Sequence, residues 1–163
     1  MIKESFKTRM RELLGDEYPE FISALECDGA VRGARVNLIK CPEGRIDIPD
    51  VTLSPISYCE NGYILEGDVP VGRLPEHHAG LIYMQDPGAM SAVTAVDIRP
   101  DAWVADLCAA PGGKSMLAAQ MMEDKGSLLS MDLHPHKSDL IAQNAEKYGI
   151  TCLQTVPSDA SVR

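Results

Sequence analysis

The stretch Trp103–Ser115, WVADLCAAPGGKS, decides how this chain is read. Trp103-Val104-Ala105 is a short apolar run, Asp106 ends it, and small residues, a proline and paired glycines follow before an apolar run from Ser115 to Met122. That order is a strand, a tight backbone-rich loop and a helix start. In open α/β sheets, ligands sit outside the carboxyl ends of the strands at such turns. Ala109, Ala110, Gly112 and Gly113 carry almost no side chain, so a ligand can approach the main chain itself. The helix that follows offers unpaired N–H groups and the positive end of its dipole.

Spacing narrows the ligand. Gly113-Lys114-Ser115 has the ending of a Walker A loop, but the first glycine of that loop would fall at Cys108. The glycines are adjacent, which is not the GxGxxG dinucleotide pattern. A strand–helix connection without any ligand is the plainest alternative.

Outward from the loop, the C-terminal side alternates strand and helix. The pattern predicts a strand over 102–107, the loop over 108–113, a helix over 114–123, a strand over 126–132, a helix over 136–148 and a strand over 151–156. Lys125-Gly126 and Tyr148-Gly149 are the helix stops. Such alternation implies parallel strands with right-handed crossovers. Asp132 closes the second strand about 20 residues past the glycines, where a carboxylate can accept both hydroxyls of a ribose. Its alternative role is to cap the helix after Pro135. Asp106 is expected to brace the loop by accepting backbone N–H groups, and Lys114 either reaches the ligand or neutralises Asp106.

The string Asp106-Leu107-Cys108-Ala109-Ala110-Pro111-Gly112-Gly113-Lys114 resembles the cofactor loop of the Nop–Sun family of RNA cytosine-5 methyltransferases. Upstream, Tyr83-Met84-Gln85-Asp86-Pro87-Gly88-Ala89-Met90-Ser91 resembles the family's entry into its catalytic domain. The likeness is strong after Leu81 and weak before it. It implies S-adenosylmethionine as cofactor, held by Cys108, Ala109, Ala110, Pro111, Gly112, Gly113, Lys114, Asp132 and Asp159, the last on the adenine amino group. It implies RNA, ribosomal or transfer, as the partner. Cys108 is not expected to be the nucleophile that attacks carbon 6 of the cytosine, because the loop uses its main chain. In the family the catalytic cysteines lie in later segments, so residues 1–163 are expected to hold no catalytic residue and to be inactive alone. A non-catalytic RNA- or nucleotide-binding module and a small-molecule methyltransferase are the competing classes.

Toward the N-terminus, Phe6, Met10, Leu13 and Leu14 recur at helical spacing over 3–14, and Gly15-Asp16 stops the pattern. A second helix is expected from Pro19 through Leu25, ended by Asp28-Gly29. Residues 34–39 alternate like a strand. The runs Ile56–Cys59 and Tyr63–Glu66 flank Glu60-Asn61-Gly62, which predicts a hairpin turning at Asn-Gly. Asp86 and Pro87 predict a capped helix through Val96. The expected architecture is therefore a small α+β domain over 1–80, followed over 81–163 by the first half of a Rossmann-like class I methyltransferase sheet, three parallel strands with helices. The first strand would then be an open edge, suited to pairing with a second copy.

The formal net charge of −9 argues against strong independent binding to nucleic acid, whose affinity is dominated by phosphate contacts. Arg32, Arg35 and Lys40 form the nearest thing to a basic patch, read first as a solvated face and second as an RNA contact; the family's small first domain touches RNA, which adds some weight to the second reading. The five cysteines form no CxxC pair, so neither a zinc site nor a disulfide framework is expected. His77-His78, adjacent on an expected extended chain, would point to opposite faces and serve one ion poorly. No apolar run is long enough for a bilayer and no signal-peptide pattern opens the chain, so a cytoplasmic, reduced protein is the expectation.

Overall fold

The computed structural model describes residues 2–26 and 31–161. Contacts divide the chain into two units, 1–30 and 31–163. The first is a helical hairpin of α1 (Glu4–Leu14) and α2 (Tyr18–Glu26), joined by a 3-10 turn over Gly15–Glu17. Gly15 takes φ +53, as its place after the helix demands. Phe6 and Phe21 bring their rings to 6.4 Å, Arg11 lies 4.8 Å from the ring centroid of Tyr18, and Lys7 pairs with Glu26. The expected stop at Asp28-Gly29 lies outside the described residues, as does Cys27.

The second unit opens with an antiparallel sheet. Its strands are β1 (Arg32–Val36), β2 (Thr52–Ile56), β3 (Cys59–Glu66) and β4 (Ile82–Met84), in the order β2-β3-β1-β4. The one-turn helix α3 (Pro75–His78) leads into β4. The histidines expected on an extended chain therefore sit on a helix, with rings 5.8 Å apart and edge-on. Among the described residues no group of His, Cys, Asp and Glu could hold a metal ion.

The hairpin is placed differently from the sequence pattern. The turn is Ser57-Tyr58, and Glu60-Asn61-Gly62 runs inside β3, with Gly62 opposite Arg35. Two contacts override the Asn-Gly signal. Asn61 buries its amide, donating to Val36 O at 2.6 Å and to Gln120 Oε1 at 2.8 Å. A Cβ on Gly62 would come within 2.9 Å of Cys59 Sγ and 3.0 Å of Met90 Sδ. The residues are chosen for the core, not for a bend.

The chain continues through α4 (Pro87–Thr94), β5 (Trp103–Asp106), α5 (Gly113–Met121), β6 (Ser127–Asp132), α6 (Pro135–Tyr148) and β7 (Leu153–Pro157). Asp86 caps α4 by accepting from Ala89 N, and Pro87 occupies its first turn, as the sequence predicts. β5, β6 and β7 pair in parallel in that order, in the α/β arrangement expected. One apolar core, including Cys59, Tyr83, Met90, Met116, Leu117, Leu128, Ile141 and Tyr148, joins a face of the antiparallel sheet to α4, α5, α6 and β6. A second, with Ala34, Leu65, Val71 and Ile82, fills the opposite face. β4 begins just past the expected boundary at 80 yet pairs with β1, so the antiparallel sheet draws on both sides of it. Among the described residues, no helix is long and apolar enough to cross a membrane.

Candidate cofactor cleft

β5 ends at Asp106 opposite Ser130, while β6 and β7 run two residues further, to Asp132 opposite Pro157, and the loop after β5 reaches back to β6. Ala109 N donates to Met131 O at 2.9 Å, which ties the loop to β6. Gly112 N returns to Ala109 O at 2.6 Å, and Asn144 Nδ2 of α6 holds Pro111 O at 2.9 Å. Gly112 stands at φ +101, a region that L side chains rarely adopt, and there α5 begins. No side chain caps α5, so its first N–H groups are left to the loop side. Asp106 does not brace the loop through backbone N–H groups as expected; its Oδ2 accepts the Ser115 hydroxyl at 2.7 Å. Lys114 is exposed and forms no ion pair among the described residues; it lines a separate apolar groove along β5.

A cleft of about 690 Å³ opens beyond the strand ends. It is lined by Leu107, Cys108, Ala110, Asp132, Lys137 and Asp159, among others. Of the loop residues expected to hold a cofactor, Cys108 and Ala110 line this space together with both carboxylates, whereas Ala109, Pro111, Gly112, Gly113 and Lys114 do not. Asp132 accepts from Ala110 N and from His134 N, each at 3.3 Å, and Lys137 Nζ lies 3.8 Å away. It is not the cap of α6: that position is His134, without a side-chain bond. Partial burial alone would raise the Asp132 carboxyl, but the His134 and Ala110 amides and the Lys137 charge outweigh it and hold it below the usual carboxylate range. Each carboxylate oxygen offers about two acceptor sites, so capacity for two hydroxyls remains.

Asp159 is exposed and accepts from Ser161 N at 2.8 Å and Ser161 Oγ at 2.6 Å. Those bonds, the hydroxyl first, hold its carboxyl low. Ala109, Gly112 and Gly113 belong to the loop's support; Ala109 and Gly112 are buried. Lys137 in the cleft is a residue that sequence alone does not mark, because a lysine in the first turn of a helix carries no signal of what it faces.

Of the three cations read as a patch, Arg35 is buried, Arg32 is half-buried and Lys40 is exposed, and each donates to main-chain oxygens. Arg35 is 0% exposed and bonds Gln85 Oε1 at 2.6 Å and Gly113 O at 3.1 Å. Arg32 donates to Val69 O at 3.0 Å and to Gly67 O. Lys40 Nζ donates to Lys147 O at 2.6 Å and Ala79 O at 3.0 Å. Exposed, uncommitted cations would be needed for an RNA face; here carbonyl oxygens have claimed them, and Arg35 is sealed from solvent. The described cysteines Cys41, Cys59, Cys108 and Cys152 are free, and only Cys108, in the cleft, is exposed.

Comparison with known proteins agrees with this geometry. Residues 2–87 match the model of the N-terminal domain of 16S rRNA methyltransferase RsmF, and residues 93–163 match that of 16S rRNA methyltransferase RsmB/F. A probable ribosomal RNA small subunit methyltransferase B of Bacillus subtilis is 43% identical over 81 residues, 50% of this chain and 18% of that protein. Ribosomal RNA small subunit methyltransferase F of Vibrio cholerae is 31% identical over 161 residues, 91% of this chain and 34% of that protein. The chain thus spans about a third or less of these relatives' length. A crystal structure of a methyltransferase homolog from Pyrococcus horikoshii superposes with TM-score 0.81 at 25% identity, covering 98% of this chain and 53% of that one. With the RsmF model alone spanning more than half of the 163 residues, and the loop, strand order and superposition in agreement, the chain belongs to the Nop–Sun family of RNA methyltransferases, in its RsmB/F branch.

Proposed function

We propose that this chain forms the cofactor-binding part of an RNA cytosine-5 methyltransferase acting on ribosomal RNA. The observation that carries this reading is the convergence of Asp132 and Asp159 with Cys108 and Ala110 of the side-chain-poor loop on one cleft of about 690 Å³. The space lies within the usual range for small-molecule sites, roughly 300–1,000 Å³. S-adenosylmethionine fits its chemistry: a ribose for Asp132, an amino group for Asp159, and main-chain N–H groups at the start of α5 for its polar tail. When bound, that cofactor supplies an electrophilic methyl group to the acceptor base. The residues here bind and orient: Asp132 fixes the sugar, Cys108 and Ala110 present the loop to the cleft, and Asn144 holds the loop against α6. No residue of 1–163 is assigned to catalysis, and the chain alone is expected to transfer no methyl group. Cys108 faces the cleft as a lining residue.

We further read the protein as cytoplasmic, which an rRNA substrate supports. We propose further that the open edge of β5 takes up another strand, supplied by a second copy when this chain stands alone.

Calorimetric titration with S-adenosylhomocysteine tests the central claim. Saturable binding to the parent chain, lost in Asp132→Ala, is the expected result. A parent chain that binds nothing, or an Asp132→Ala variant that binds equally well, removes the cleft from the reading.

A further inference from the structure

A guanidinium sits under the cofactor loop with no carboxylate beside it. Arg35, in β1, is 0% exposed. Its acceptors are neutral: Gln85 Oε1 at 2.6 Å from Nε and Gly113 O at 3.1 Å from Nη2. Its carbon Cζ lies 5.1 Å from the Tyr83 ring centroid. Nη1 has no acceptor among the described residues. Burial pushes this guanidinium down to about 10, a sign that its solvation is only partly replaced. A buried ion held by neutral acceptors stabilises little; a methionine of similar volume would suit the surrounding core at least as well. What an apolar side chain could not do is grip Gly113 O.

Gly113 is the first residue of α5 and the last of the loop. It rests on the same plate of residues. A Cβ at Gly113 would lie 3.3 Å from Tyr83 Oη and 3.4 Å from Gln85 Nε2. Gln85 is itself anchored, since its N–H donates to Gly33 O at 3.0 Å. Gly33 is constrained in turn: a Cβ there would meet Gln85 O at 2.4 Å. β1, the segment after β4 and the start of α5 are therefore fitted together without slack, and Arg35 is the bond that crosses between them. The opposite end of α5 is held separately, by Asn61 through Gln120.

We propose that Arg35 is a positioning residue for the cofactor loop: it fixes the height and direction of Gly112-Gly113 from beneath, so that the antiparallel sheet presets the surface that receives the adenosyl cofactor. The proposal rests on the cofactor reading for its purpose but not for its geometry. Its consequence is that β1 and the segment after β4 belong to the binding apparatus.

The test compares Arg35→Met, Arg35→Lys and Asn61→Ala with the parent chain by amide hydrogen exchange and by titration with S-adenosylhomocysteine. In Arg35→Met, exchange of the segment 109–116 is expected to rise about tenfold, with a smaller rise in Arg35→Lys, which keeps the charge but not the fork. Asn61→Ala, at the far end of the helix, should leave that segment unchanged while lowering thermal stability. Cofactor affinity is expected to fall roughly tenfold in Arg35→Met and to hold in Asn61→Ala. Unchanged exchange at 109–116 in Arg35→Met, or an equal rise in Asn61→Ala, would overturn the positioning role. A parent chain that fails to bind S-adenosylhomocysteine defeats the cofactor reading instead, and the exchange data still decide the role of Arg35.

Discussion

Asp132 spends part of its carboxylate on Ala110 N and His134 N before any ligand arrives. An Asp132→Asn variant would turn an NH2 donor toward one of those amides, leaving two donors face to face. S-adenosylhomocysteine affinity is expected to fall at least about tenfold, because a buried donor without a partner costs on the order of 1–3 kcal/mol. The pH dependence follows from the depressed carboxyl. A carboxylate whose folded value lies below its unfolded one gives its full contribution above the ordinary range near ~3.9 and loses it as pH falls through the lower folded value. Binding titrated downward from neutrality should therefore stay flat until below about pH 4 on account of this group. A midpoint near neutrality would point to another residue. Asp124 offers a parallel case for stability. Its carboxylate takes Thr151 N at 2.8 Å, Thr151 Oγ1 at 2.7 Å and Cys152 N at 2.9 Å. Burial would raise it, yet those bonds hold it low. Asp124→Asn keeps tolerance of the positive φ of 54 found there and should cost about 1–3 kcal/mol in urea unfolding. At this scale the sequence showed the carboxylates and the loop, since their spacing is local. It did not show Lys137 or the inward turn of Arg35, which depend on what another element brings opposite them.

Elements were legible wherever one periodicity ruled. The strand–helix alternation after Trp103 appears with its ends moved by a residue or two, and α4 starts at the predicted Asp86 cap. The hairpin turns at Ser57-Tyr58 and not at Asn61-Gly62 because Asn61 and Gly62 are set by long-range packing against Gln120 and Met90, which a turn signal cannot register. β5 has a strand on one side only among the described residues. Trp103 at its start is 89% exposed, and an apolar groove runs beside it. Unpaired backbone groups next to apolar surface favour strand addition. Sedimentation velocity should show self-association that grows with concentration and weakens in Trp103→Lys. A monomer at every concentration would exclude pairing through this edge.

For the whole molecule, charge is the controlling quantity. The chain carries −9, and its three candidate RNA contacts are bonded to main-chain oxygens or buried. Phosphate contacts dominate nucleic-acid affinity, so filter binding with rRNA should find weak retention by this chain alone. Tight, salt-sensitive retention would require a basic surface elsewhere. The sequence by itself determined the parallel α/β layer, the loop and the family, because these rest on local periodicity and on an unbroken run of residues around Pro111. Only the tertiary structure decided that β1, β3 and β4 lock onto α5, that Asn61-Gly62 lies within a strand, and that Arg35 is buried with a bond to Gly113 O. Those outcomes turn on which polar groups meet once the core closes; buried donors seek acceptors, and Arg35 finds one 78 residues along the chain, at Gly113 O.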